Sequence, residues 1–312
     1  SFASGRVAQT GAASAIFRRV PRIEASSTQR TNWLALFAMG MAVVVIANDF
    51  SAINVALPTM EKDFDTNINT IQWVVNAYAL TFGVMIVTGG RLADMFGRRN
   101  AFFLGTAIFA SMSALGGAAQ SEAWLIACRT LMGIGGALMW PAILGMTFDL
   151  LPSNRAGLAG GIILGAAGFG NAVGPLLGGV LTDTVGWRWI FFLNLPLGLV
   201  AIAALLRFVT ESRDETVPRQ LDWPGLATVA LGIAAVTFAV DRGQEWGWLG
   251  ARTILVFLAG LALLAAFAAV ERRVRWPLVD LGLFANRPYV LVTALGAISN
   301  LAFTSATLAT TI

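Results

Sequence analysis

The sequence has 312 residues, of which 57% are hydrophobic and only 12% charged, with a formal net charge of +4. Soluble domains carry about 25% charged residues, so the deficit argues against a water-soluble fold and for a membrane protein. Histidine is absent and Cys128 is the sole cysteine, which removes disulfides, the usual zinc ligand sets and histidine-based catalysis together. No basic stripe interleaves with aromatic residues, so nucleic-acid binding has no support.

Residues 1–31 hold five arginines and one acid, with no apolar stretch long enough for a signal peptide. They read as a disordered cytoplasmic tail. Apolar segments of spanning length, about 20 residues, follow at 33–57, 72–91, 101–119, 123–147, 156–181, 189–208, 224–241, 253–270 and 288–312. The expected fold is an all-α transmembrane bundle. Its parts are a compact six-helix bundle over 32–208, a loop at 209–222, a helix pair over 223–270, a second loop at 271–287 and the first helix of a further bundle from 288. The helix pair is expected to carry no buried charge and to serve packing or linking. The chain opens on Ser1 and stops inside an apolar run at Ile312, and so reads as a fragment lacking the rest of that second bundle.

Orientation follows from arginine placement. With a cytoplasmic N-terminus, sixteen arginines fall on the inner side, against Lys62, Arg188, Arg242 and Arg252 on the outer. Trp33, Trp73, Trp124, Trp187, Trp189, Trp223, Trp246 and Trp248 fall at predicted helix ends, where interfacial aromatic residues belong.

Two ionisable residues lie well inside apolar runs, Asp49 in the first span and Arg129 in the fourth. At about 1.5 Å per residue, Asp49 stands roughly 24 Å from the inner face, and Arg129 roughly 10 Å from the outer. Both depths fall in the outer half of a hydrocarbon core about 30 Å thick. Isolated charges are expensive there, so the two should meet each other or share a wet cavity. A structural ion pair and a carboxylate that takes and releases a proton are both open readings.

The stretch GGRLADMFGRRN over 89–100 is the second charged constellation. Gly90 and Gly97 permit a sharp turn between the second and third spans. Asp94 with Arg98 and Arg99 crowds opposite charges at one rim, and Asp149 is the natural partner of Arg98 or Arg99. Over GAAGFGNAVGPLLGG, at 165–179, Ala166, Gly170, Gly174 and Gly178 form a stripe almost without side chains, next to Pro175 and Gly179. Such a segment is a poor helix in water, but it is tolerated in a bilayer, where small residues let helices approach closely.

These residues together resemble the major facilitator superfamily, and within it the fourteen-helix drug:proton antiporter branch. Gly90, Leu92, Ala93, Asp94, Gly97, Arg98 and Arg99 match the family's conformational latch, with Met95 where a basic residue is usual. Asp49 with Asn54 to Pro58 resembles the first-helix motif. Leu125, Arg129, Gly133 and Gly135 resemble the fourth-helix motif associated with proton coupling, with Met132 replacing the usual Gln. Gly170, Gly174, Pro175, Gly178 and Gly179 match the fifth-helix motif of antiporters. Trp187-Arg188-Trp189 with Phe191, Asn194 and Pro196, then Asp222-Trp223-Pro224-Gly225, and Pro277-Leu278 through Arg287-Pro288 resemble signatures of the branch.

The resemblance implies a multi-pass plasma-membrane exporter that exchanges drug-like, often cationic or amphipathic, compounds for protons and needs no cofactor, metal or nucleic acid. A family member of this kind confers drug resistance and is not an enzyme. Asp49 and Arg129 would couple protons. Asn54, Trp73, Asn76 and Tyr78 would line the substrate cavity beside Asp49, and the missing half would be required for transport. Export of a self-made metabolite, such as an antibiotic or siderophore, is the alternative within transport, with a nutrient symporter of the same fold behind it.

Overall fold

The computed structural model describes residues 29–209, 211, 222–274, 277–279 and 281–309. Most of the expected 1–31 tail and most of the 209–222 loop lie outside these residues. The described chain folds into ten α-helices: α1 Gln29–Asp63, α2 Ile68–Ile71, α3 Trp73–Phe96, α4 Arg98–Gly117, α5 Glu122–Leu150, α6 Ala156–Thr184, α7 Arg188–Phe208, α8 Trp223–Trp246, α9 Ala251–Glu271 and α10 Arg287–Ala309. Among the described residues eight stretches are long and apolar enough to cross a membrane, with α2 and α3 counted as one. The ninth apolar segment forms α10.

The helices outrun the apolar segments that predict them. Pro58 does not end α1, which continues to Asp63, and Pro141, Pro175 and Pro196 likewise lie inside helices. Away from water an unravelled backbone has no alternative partners, so the helix survives the lost hydrogen bond. The expected turn at Gly90 is corrected for the same reason. Gly90 lies inside α3, and only Gly97, at φ 106°, makes the turn into α4. That left-handed backbone favours glycine.

In the first bundle α1 packs on α6 and α7, α5 on α3 and α4, and α4 on α7. Small residues set the spacing. A Cβ built on Gly178 would collide with the Ala52 carbonyl oxygen of α1, and one on Gly170 would stand 2.7 Å from the Val44 oxygen. The 170–178 stripe therefore lies against the α1 backbone, and Gly105 and Gly135 bring α4 and α5 together in the same way. Outward faces remain apolar: Leu164, Phe169 and Leu176 on α6 and Leu255 and Leu258 on α9 are all exposed, as suits helices bathed in lipid.

Two expectations need correction. Trp187 is not an interfacial anchor, for it is 2% exposed, and its indole donates to Asp63 Oδ2 at 3.1 Å. Arg188 donates to the same oxygen at 2.7 Å, so the two residues clasp the end of α1. The α8–α9 pair does carry buried charge, because Asp222 and Glu271 are buried at its ends.

Candidate functional site

Five helices converge on Asp49. Its carboxylate and the Arg129 guanidinium are both 0% exposed, and Arg129 Nη1 donates to Asp49 Oδ2 at 2.5 Å. The matched depth of the two residues is thus realised as direct contact between α1 and α5. From α7, the Asn194 amide donates to Asp49 Oδ1 at 2.7 Å, and also to Ser113 Oγ on α4 at 3.1 Å. Ser113 in turn donates to the Phe191 carbonyl at 2.8 Å. Each carboxylate oxygen therefore has a donor of its own.

Arg129 is held from three further directions. Nε donates to the Val74 carbonyl of α3 at 2.8 Å, Met132 Sδ lies 3.9 Å from Nη1, and the Tyr78 ring sits beneath the guanidinium with its centroid 4.2 Å from Cζ. An aromatic face so placed attracts a cation. Gly136 makes room for this ring, since a Cβ there would stand 3.0 Å from Tyr78 Oη, and Gly133 makes room for the α3 backbone, since a Cβ there would stand 2.7 Å from the Tyr78 carbonyl oxygen. Arg129 Nη2, Tyr78 Oη and Asn194 Oδ1 are buried without partners among the described residues. The network can therefore rearrange or take up water without first breaking a bond at those atoms.

Of the residues expected around a substrate, Tyr78 joins this network. Asn54 lies one turn further along α1, half-buried, with its amide donating to the Phe50 carbonyl at 3.1 Å. Trp73 and Asn76 point elsewhere, toward the α8–α9 pair. The Asn76 amide donates to Asp241 Oδ1 at 2.6 Å, and Trp73 packs on Phe238 with Arg242 over its ring. They dock that pair against α3.

A second charged cluster occupies the opposite end of the bundle. Arg98 donates to Asp94 Oδ1 through Nε at 3.1 Å and Nη2 at 3.0 Å, and to Asp149 Oδ2 at 2.6 Å. One guanidinium thus ties the end of α3 to the end of α5, and Gly145 leaves the space it fills, because a Cβ there would stand 2.5 Å from Arg98 Nε. Arg99 turns the other way, its Nη2 donating to the Leu206 carbonyl at 3.4 Å. The free N–H groups at the start of α4 are capped by Glu211, which accepts from Arg99 N at 3.0 Å and Asn100 N at 3.2 Å; an anion suits that helix end. On α6, Gly174 and Gly178 face α1, and a Cβ built on Gly179 would lie 3.8 Å from Val55; Pro175 stands within the same helix.

Sequence reasoning did not single out Ser113, Gly145 or Glu211, and it named Asn194 only within a motif. A lone serine or asparagine in an apolar helix gives no signal by itself. A glutamate in a polar loop looks solvated.

Comparison with known proteins agrees with this architecture. The Major Facilitator Superfamily profile matches residues 39–311. The tetracenomycin C resistance and export protein of Streptomyces glaucescens is 33% identical over 276 residues, covering 88% of this chain and 51% of that protein. The puromycin resistance protein of Streptomyces alboniger is 37% identical over 259 residues, covering 82% of this chain and 50% of that one. The chain thus spans about half the length of the curated relatives it matches. Among solved structures, the peptide-transporter-family protein PepTSo superposes with a TM-score of 0.57 at 13% identity, over 78% of this chain and 53% of that one, a likeness of fold alone. Helix pairing, buried charge and profile match lead to one conclusion: the chain belongs to the major facilitator superfamily.

Proposed function

We propose that the protein exports drug-like, cationic or amphipathic compounds across the plasma membrane in exchange for protons, with its N-terminus in the cytoplasm. The observation that carries this reading is Asp49, a wholly buried carboxylate held by one guanidinium and one amide. A proton arriving at Asp49 would neutralise it and release Arg129, which keeps the Val74 carbonyl and the Tyr78 ring as alternative partners. The charge change thereby alters contacts among α1, α3, α5 and α7. Substrate would sit near midplane, between this bundle and a second one, with Asn54 and Tyr78 on this side. The second bundle is required, and the α8–α9 pair fits the additional helices of a fourteen-helix exporter. Asp94, Arg98 and Asp149 would serve as the conformational latch, made and broken as the bundles rock.

Resistance named for both Streptomyces relatives, and export named for the tetracenomycin C protein, support drug export and equally a self-made antibiotic as cargo. The test uses the full-length protein in proteoliposomes with a cationic dye. Acidifying the lumen should drive dye uptake, and Asp49→Asn should fold and insert yet lose that uptake. Loss of preloaded dye into the medium would instead indicate a symporter, and retained uptake in Asp49→Asn would reject the role of Asp49.

A further inference from the structure

At the end of the molecule remote from Asp49, the α8–α9 pair closes on two carboxylates. Asp222 caps α8, its Oδ1 accepting from Gly225 N at 2.9 Å, and Glu271 is the last residue of α9. They are 7% and 4% exposed. The two Glu271 oxygens accept from Leu278 N and Val279 N, each at 3.2 Å, which folds the segment after α9 back onto its end. Both acids converge on the α-carbon of Gly225, where an added Cβ would collide with Asp222 Oδ2 and stand 3.1 Å from Glu271 Oε1. Asp222 Oδ2 is buried with no partner among the described residues.

Among the described residues the charged groups facing Glu271 are Asp222 and Arg91, the latter on α3 three residues before Asp94. Arg91 forms no ion pair with either acid, and its Nη2 is likewise buried without a partner. Arg272 and Arg273, next along the chain, are exposed. Among the described residues the site therefore holds two carboxylates for one guanidinium that touches neither, and one carboxylate oxygen lacks a donor. Two anions this close and shielded from water disfavour each other's charge. A metal ion is a poor remedy: no third acidic, cysteine or histidine ligand joins them among the described residues, and Glu271 is already facing N–H donors.

We propose that Asp222 and Glu271 form a second proton-binding site, separate from Asp49, in which the pair holds one proton between its carboxylates. One proton removes the excess negative charge and pairs the open oxygen. It also joins the start of α8, the end of α9 and the segment leading to α10. Loss of the proton sets two anions against each other beside Arg91, on the helix that bears Asp94. The site thus reads proton activity at the Arg98 end of the bundle, whatever the role of Asp49.

The experiment is pH-difference infrared spectroscopy on the full-length protein in lipid. A protonated-carboxyl band should vanish as pH rises, and Asp222→Asn and Glu271→Gln should each remove it. Asp49→Asn should leave it in place, so that failure of this site and failure of Asp49 as the transport group are told apart. Gly225→Ala, whose methyl displaces the Asp222 carboxylate, should shift the titration midpoint without removing the band. A band unchanged in both Asp222→Asn and Glu271→Gln would overturn the proposal, as would an unshifted midpoint in Gly225→Ala. Its disappearance at fixed pH on adding sodium ions would show a cation site instead.

Discussion

Removing either partner of the Asp49–Arg129 pair should have unequal consequences, because the two stranded charges have unequal escapes. Both side chains are completely buried, and breaking such a pair costs about 3–5 kcal/mol, or roughly two to nearly four orders of magnitude in the unfolding equilibrium. Asp49→Asn leaves a guanidinium that cannot give up its proton, and Asn194 loses its charged acceptor. The full penalty, about 3–5 kcal/mol, should therefore persist at every pH. Arg129→Met leaves a carboxylate that can neutralise itself by binding a proton, so its penalty should shrink toward low pH. The double variant, which removes both charges, should lie within about 1–2 kcal/mol of the wild type, well above either single. Denaturant unfolding in lipid micelles at neutral and acidic pH, with all four proteins, measures this. Equal, pH-independent penalties for the two singles, or a double variant as unstable as their sum, would refute the reasoning.

Further outcomes follow from the packing. Gly178→Val should force α6 from the α1 backbone and lower stability by about 1–3 kcal/mol, whereas Gly165→Ala, with nothing within 4 Å of its new Cβ, should be nearly neutral in the same unfolding assay. Gly145→Leu should evict the Arg98 side chain from between Asp94 and Asp149, lowering dye transport while leaving the protein folded. Asn76→Ala removes the α3 donor to Asp241, leaving that carboxylate its 3.8 Å pairing with Arg242 on its own helix, and should raise hydrogen exchange in α8 by about tenfold, the equivalent of roughly 1.4 kcal/mol. An α8 as protected as in the wild type would mean that α3 does not hold it.

How much of this was legible in the sequence depended on the residue. Asp49 and Arg129 could be paired by counting rise per residue, because a charge in hydrocarbon must find an opposite one at its own depth. The small-residue stripe was legible for the same sort of reason, since glycine every fourth position leaves a flat helix face. Asn194 and Ser113 were not, because depth leaves the rotation of a helix about its axis free, and an uncharged side chain can satisfy itself on its own backbone. Trp73 and Asn76 show the same limit from the other side: at a suitable depth, they nonetheless face α8 and not Asp49. Glu211 was hidden because a cap on α4 from a loop 112 residues away has no local pattern.

Sequence alone determined that the chain crosses the membrane repeatedly, where its helices run and which charges must be compensated, because hydrocarbon penalises every unpaired polar group whatever the fold. Tertiary structure decided which faces meet: that α6 rests on α1, that Asn194 completes the carboxylate site, and that Asp222 and Glu271 converge on Gly225. Those choices rest on side-chain volumes and helix rotations summed over several helices at once, and no window of sequence contains that sum.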